Sequence, residues 1–279
     1  MQTIEDIILQ RDQRGVSALR PHLPSDYCTQ AAQYVLDHPG TIIITTGFYI
    51  LYGNAIETDG PPGAIAIGVA LQALGHKVIY LTDQHCLPVM ESLAENKAEV
   101  LEFPITDLDA SQEFAKKTLS RLEPSLIISI ERCSPSADGT YRNMRSMDVS
   151  DYTAKVDTLF GSCPSVGIGD GGNEIGMGLL RKQILNHPEL HPNPATVPCD
   201  RLIIASCSNW GGWGLVAALS NLNGRNLLPT LVDEIERVNN CVNMGAVDGF
   251  TGTAKPYVDG FPMNEYTQPL AQLHDLVAV

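Results

Sequence analysis

No run in this 279-residue chain approaches the roughly 20 apolar residues of a membrane-spanning helix. Aromatic residues are sparse at 6%, which disfavours an all-β sandwich core, and Ala, Ile, Leu, Val and Gly carry the apolar content. Basic residues are few, 18 against 32 acidic ones, giving a formal charge of −14 that repels phosphate backbones and argues against nucleic acid as a partner. The seven cysteines form no CxxC pair, so neither a disulfide framework nor a structural zinc site is expected. No GK[ST] and no GxSxG occurs, removing a Walker A loop and a nucleophile elbow. The opening MQTIEDIILQRDQRG carries acids early and reads as no secretory leader, so the expected compartment is the cytoplasm.

What the chain does contain is a rhythm. Short runs rich in Ile and Val, TIIITT (41–46), KVIYLT (77–82), EVLEFP (99–104), SLIISI (125–130), SVGIG (165–169) and RLIIAS (201–206), alternate with helical patterns. The latter include PPGAIAIGVALQALG, LPVMESLAENK, DASQEFAKKTLSRLE and DYTAKVDTLF. Continuous apolar strands between helices predict an α/β fold: an open, mainly parallel sheet with helices on both faces. Thr3 to Asp6 reads as a capping box opening a helical N-terminal segment packed on that sheet, and Ser25 as the cap of a second helix. One domain spanning 1–279 is expected, with NHPELHPNPATVP (186–198) as a proline-rich surface connection.

Ligands of open α/β sheets bind beyond the carboxyl ends of the strands. The segments following the strands are long or glycine-rich there: GFYILYGNAIETDGPPG, ERCSPSADGTYRNMRSMD, DGGNEIGMG and CSNWGGWG, with NMGAVDGFTG able to reach the same rim. Gly167-x-Gly169-x-x-Gly172 matches a dinucleotide fingerprint, but it follows the fifth strand and sets Asp170 in the turn that would meet a pyrophosphate. The carboxylates suggest a cation instead. Asp59, Asp170, Asn173 and Glu174 are hard oxygen donors on turns, suited to Mg²⁺ or Mn²⁺. Asp138 and Asp248 lie in similar Asp-Gly turns. Arg132 and Arg145, with Tyr141 and Asn143, form a candidate clamp for a substrate carboxylate or phosphate. Asn209 sits on what reads as a glycine-rich turn, with Trp210 and Trp213 covering the rim.

These motifs resemble the D-glutamate cyclase family, specifically the catalytic domain that stands alone in many prokaryotic members and is C-terminal in the mitochondrial ones. TDGPPG, ER followed by DGTYRNMRSMDVS, GIGDGGNEIGMG, SNWGGWG and DGFTG carry the likeness, and IILQRDQRGVSALRP extends it to nearly the whole chain. Cys133, Pro135 and Ser146 depart from it, the last standing where glycine is expected in NMRG.

The resemblance implies reversible dehydration of D-glutamate to 5-oxo-D-proline at a metal-associated acidic cavity. On that expectation Asp59, Asp170, Asn173 and Glu174 hold the metal, and Arg132 or Arg145 grips the α-carboxylate. Glu174 or Asp138 takes the ammonium proton, and Asn209 with the N–H groups near Gly171 and Gly172 steadies the oxyanion. A divalent-metal phosphohydrolase is the alternative enzyme, and a metal- or ligand-sensing module the non-catalytic one. The partner expected is a small anion, with no membrane involved and a homo-oligomer left open.

Overall fold

The computed structural model describes residues 2–277. Six strands form one sheet, all neighbours parallel: β1 Thr41–Thr45, β2 Lys77–Thr82, β3 Glu99–Glu102, β4 Leu126–Ile130, β5 Ser165–Gly169 and β6 Arg201–Ile204. Their order across the sheet is β3-β2-β1-β4-β5-β6. β2 and β3 are added on one side of β1 and β4 to β6 on the other, so the strand order reverses between β1 and β4, and that junction is the topological switch point at which such sheets leave a crevice.

Side-chain alternation explains the two covered faces. Ile42, Ile44, Leu126, Ile128 and Ile168 join one apolar cluster, whereas Ile43, Leu81, Ile127 and Ile175 join another. The first cluster is covered by the helices α1 Ile4–Ile8, α2 Tyr27–Leu36, α3 Pro61–Ala73, α4 Leu87–Ala94, α7 Ser208–Asn223, α8 Leu231–Asn243 and α10 Gln268–Leu276, the second by α5 Leu108–Leu122. The short helices α6 Arg181–Leu185 and α9 Met263–Tyr266 complete the set among the described residues. Each such Ile or Leu, fully removed from water, contributes about 1.5–3 kcal/mol before chain entropy is counted. The expected α/β architecture is therefore the observed one. Thr3 caps α1 through the reciprocal capping box, and α1 packs on α7 and α10.

Three local expectations are corrected. DYTAKVDTLF forms two 3-10 turns, Ser150–Tyr152 and Val156–Leu159, in place of an α-helix. The residue preceding α2 is Asp26, and no side chain caps it, so Ser25 has no such role. SNWGGWG is no turn: it is the first half of α7, with Trp210 and Trp213 fully buried.

The glycines of α7 and α3 serve the helix contact. A Cβ on Gly212 would lie 3.3 Å from the Cα of Gly63, and one on Gly63 would lie 2.7 Å from Ile130 and 2.8 Å from Asn209 Oδ1. A side chain at either position would press on the facing helix, so glycine permits that approach without displacing its neighbours. The two helices also cap each other. Asn209 Oδ1, from α7, accepts the N–H groups of Gly60 and Gly63 at 3.0 and 2.8 Å at the start of α3. Asp59, just before α3, accepts the N–H groups of Ser208 and Asn209, each at 2.8 Å, at the start of α7. Both helix N-termini thus converge beneath the sheet's switch point.

Candidate active site

At the end of β4 the chain turns sharply. Glu131 adopts φ +44°, a left-handed conformation uncommon for a side-chain-bearing residue and a recurrent mark of functional sites. The twist sends consecutive side chains to different places. Arg132 is buried with its guanidinium 2.6 Å from Asp83 and donating to the carbonyls of Gly47 and Ala154. Glu131 is instead part of an acidic cluster.

That cluster gathers Glu57, Asp59, Glu131, Asp170 and Asp259, each at most 5% exposed. Asp59, Glu131 and Asp170 each offer an oxygen within 4.8 Å of the others. Among the described residues, Arg14 is the cation paired with two of the cluster's members, Asp170 and Asp259. Its Nη1 lies 2.8 Å from Asp170 and 2.9 Å from Asp259, and its Nη2 lies 2.7 Å from Asp259. Asp259 is therefore held below the usual carboxylate range: burial opposes its charge, and the Arg14 guanidinium overcomes that.

The other four are pushed up, and burial is the main cause for each. Asp59 rises to about 7, with Asp259 adding repulsion and the Asn209 and Ser208 amides opposing it. Glu131 rises through burial and the neighbouring charges of Glu174 and Asp59. Glu57 rises through burial and repulsion from Glu131. Asp170 rises through burial despite Arg14. Charge is in excess here.

Beside the cluster opens a cavity of about 180 Å³ lined by Arg14, Glu57, Glu131, Asn143, Arg145 and Asn173, with apolar walls from Phe48, Ile50, Met144 and Phe250. The Arg145 guanidinium lies 4.2 Å from the centre of the Tyr52 ring at this cavity, and Arg14 lies over Phe250. Loop 248–252, anchored by Asp248 accepting from Thr251 and Gly260 N–H groups, brings Phe250 to the wall.

The sequence candidates divide accordingly. Asp59, Asp170, Asn143, Asn173 and Arg145 reach the cluster or the cavity. Asn173 donates its amide to Arg142 O at 2.8 Å and leaves a buried Oδ1 with no hydrogen-bond partner. Glu174 does not serve as expected. Its carboxylate accepts the N–H groups of Asp170, Gly171 and Gly172 at 3.1, 2.6 and 2.7 Å. The glycine loop is a nest of amides wrapped around its own glutamate, so the Gly171 and Gly172 amides are unavailable to an oxyanion.

Arg132 is withdrawn from substrate by its pairing with Asp83. Asp138 is exposed and tied to Arg142 at 2.7 Å, which holds its carboxyl low and makes it a poor base. Tyr141 is buried and donates to Asp157 at 2.5 Å. Asn209 spends both ends of its amide on the α3 start and Thr58 O.

Arg14, Glu57, Glu131 and Asp259 lie at this cluster or its cavity and are not among the sequence candidates. Glu131 carried a readable signal, an acid directly after the strand at the switch point. Arg14 and Asp259 come from opposite ends of the chain and carried none.

A sequence profile described as D-glutamate cyclase-like, C-terminal, matches residues 4–274. This chain belongs to that family. A human relative, D-glutamate cyclase, mitochondrial, is 29% identical over 290 aligned positions covering 88% of this chain and 47% of the relative. The chain thus spans about half the length of that relative. Among solved structures, an exopolyphosphatase-related protein from Bacteroides fragilis aligns over 90% of this chain and 57% of its own, at 11% identity and a TM-score of 0.44. Among the described residues no helix is long and apolar enough to cross a membrane.

Proposed function

We propose that this chain catalyses the reversible cyclisation of D-glutamate to 5-oxo-D-proline and water, in a site that takes a divalent cation. Family membership supports the reaction class, and the observation that carries the reading is the unbalanced carboxylate cluster opening into a cavity edged by Arg14 and Arg145. Drug-sized ligands occupy cavities of roughly 300–1,000 Å³. A cavity of about 180 Å³ suits a smaller molecule such as a single amino acid.

The donor set fits a hard cation. Asp59, Glu131 and Asp170 supply buried oxygens close together, and their raised proton affinities express charge that one guanidinium does not balance. The Thr46 hydroxyl, buried without a hydrogen-bond partner, points the same way, because a Cβ built on Gly60 would lie 2.5 Å from it and 2.9 Å from Glu131 Cβ. Magnesium or manganese matches this chemistry. When bound, such an ion supplies Lewis-acid polarisation of the γ-carboxylate, otherwise a poor electrophile.

The protein's own groups do the rest. Arg145 binds the α-carboxylate, its guanidinium braced on Tyr52. Glu57, facing the cavity, takes a proton from the α-ammonium so that nitrogen attacks the carboxyl carbon of the γ-carboxylate, and passes it to the departing oxygen. The ammonium gives up two protons in all and the γ-carboxylate one oxygen, which leave together as water while the lactam N–H remains. Phe48, Ile50 and Phe250 limit water at the reacting carbon. Phosphoester hydrolysis is less well supported, because the loop amides that would cradle a phosphate are engaged by Glu174.

The test is chiral chromatography of metal-stripped protein incubated with D-glutamate, L-glutamate or 5-oxo-D-proline, with and without Mg²⁺ or Mn²⁺. Interconversion of the D pair alone, dependent on added metal, is expected. No turnover of either D compound by folded, metal-loaded protein would remove the proposal.

A further inference from the structure

The proline-rich stretch 186–198 reads from sequence as a surface connection, yet His191 is 2% and Ala195 1% exposed. His191 Nδ1 lies 3.1 Å from the backbone N–H of Asn193, an obligatory donor, so Nδ1 accepts. The ring proton is then on Nε2, which donates to the carbonyl of Asn143 at 2.8 Å. Asn193 Nδ2 donates to Ser146 Oγ at 3.3 Å. Further along, the Ala195 N–H donates to Gly172 O at 2.9 Å and the Thr196 N–H to Pro135 O at 3.0 Å. One segment therefore fastens the loop around Asn143 at two points and the glycine loop at a third.

The fastened loop is itself stiff. Asn143 Oδ1 accepts the N–H groups of Arg145 and Met147, each at 3.0 Å, and Asn143 O accepts the Ser146 N–H at 2.8 Å. Ser146 sits at φ +58°, a conformation glycine enters freely and a side chain does not. Its hydroxyl meets the Asn193 amide, which a glycine there would leave without that partner.

We propose that segment 187–196 is a positioning strap for Arg145. His191 and Asn193 fix loop 143–147 so that the Arg145 guanidinium stays on the Tyr52 ring at the cavity, and Ser146 gives the strap its second attachment. The functional half of this statement rests on Arg145 being the carboxylate ligand in the reading above. The mechanical half does not.

The experiment joins hydrogen exchange of the 143–147 amides with steady-state kinetics on D-glutamate, using the full chain. Arg145→Ala is expected to raise KM roughly ten- to hundredfold, the loss of a hydrogen bond to a charged group. His191→Phe should speed exchange at 143–147 and raise KM by about tenfold with kcat little changed, the pattern of lost binding without lost chemistry. His191→Gln retains a donor near Nε2 and should recover most of both effects. Ser146→Gly tolerates its backbone conformation and keeps the fold, so it tests the second attachment even where a His191 variant folds poorly.

Combined with Arg145→Ala, His191→Phe should add almost nothing to KM, because both act on one contact. Unchanged exchange in both His191→Phe and Ser146→Gly would overturn the strap. So would KM increases that multiply with that of Arg145→Ala. An unaltered KM in Arg145→Ala would overturn the substrate reading instead, and faster exchange in the strap variants would then still establish the mechanical link.

Discussion

Glu131 and Arg132 are neighbours in the chain and opposites in use. Both are buried charges at the end of β4, where the left-handed twist at Glu131 parts them. Arg132 meets one carboxylate, Asp83, and two backbone carbonyls, so its charge is matched and most of its donors are engaged. Glu131 meets further carboxylates, and its proton affinity is raised by burial and by their charge. Matched buried charge locks a fold, whereas unmatched buried charge is unfavourable until a ligand of opposite sign arrives. The site lies on the unmatched side.

The largest effect expected from breaking this contrast is on the matched side. Arg132→Ala leaves Asp83 buried without its cation and should cost about 3–5 kcal/mol in urea denaturation. A loss below about 1 kcal/mol would mean that Arg132 is not the structural member of the pair.

On the unmatched side the signs separate. Glu131→Gln removes a negative charge from the cluster and keeps an acceptor for Ser208 Oγ. Turnover should fall by about a hundredfold or more, on the scale of losing one electrostatic element of a catalytic site. The cation-free protein should become more stable, since relief of repulsion worth one pKa unit is about 1.4 kcal/mol. Lower stability in that variant would show that Glu131 is matched after all.

Proton linkage sharpens the same point. Asp59 titrates at about 7 in the folded chain against an ordinary 3.8, and Glu57, Glu131 and Asp170 shift in the same direction. A raised folded pKa means that the folded state retains protons the unfolded chain has released. Stability from this source is complete below the ordinary carboxylate range and drains away as pH rises through the folded values. Melting temperature in chelator should therefore fall between about pH 5 and about pH 8, and Mn²⁺ should restore it at the upper end. His76, held low by burial, acts in the opposite direction, so the comparison with Glu131→Gln isolates the cluster. A slope that is identical in the two proteins would separate it from these acids.

The fold was legible because most strands, β3 with its flanking Glu99 and Glu102 excepted, are short apolar runs, and helices such as α3 and α5 begin at a proline or a capping aspartate, both local signals. Glycine was where local reading failed. In SNWGGWG the glycines let α7 approach α3, a tertiary demand that composition alone presents as a turn. In GDGGNEIG they let backbone amides close on Glu174, so the motif that drew attention supports the site without offering Glu174 to it. Asp59 and Asp170 were legible because they lie on turns after strands. Arg14 and Asp259 meet across 245 positions of sequence, and nothing short of the fold joins them.

The smallest expected effect completes the contrast with a pair that is matched but exposed. Asp138 and Arg142 form an i,i+4 ion pair in which the Asp138 side chain is 56% exposed. Water screens such a pair, and the side-chain entropy of holding it offsets most of its attraction. Asp138 also accepts from Ser136 Oγ and the Thr140 N–H, contacts an asparagine can largely reproduce. Asp138→Asn should therefore leave kcat and KM within about twofold of the parent and barely move the melting temperature. A large loss of turnover would return Asp138 to the list of bases and require loop 136–142 to close on the cavity during the reaction. That outcome would also count against Glu57, whose candidacy rests on its facing the cavity while Asp138 faces solvent.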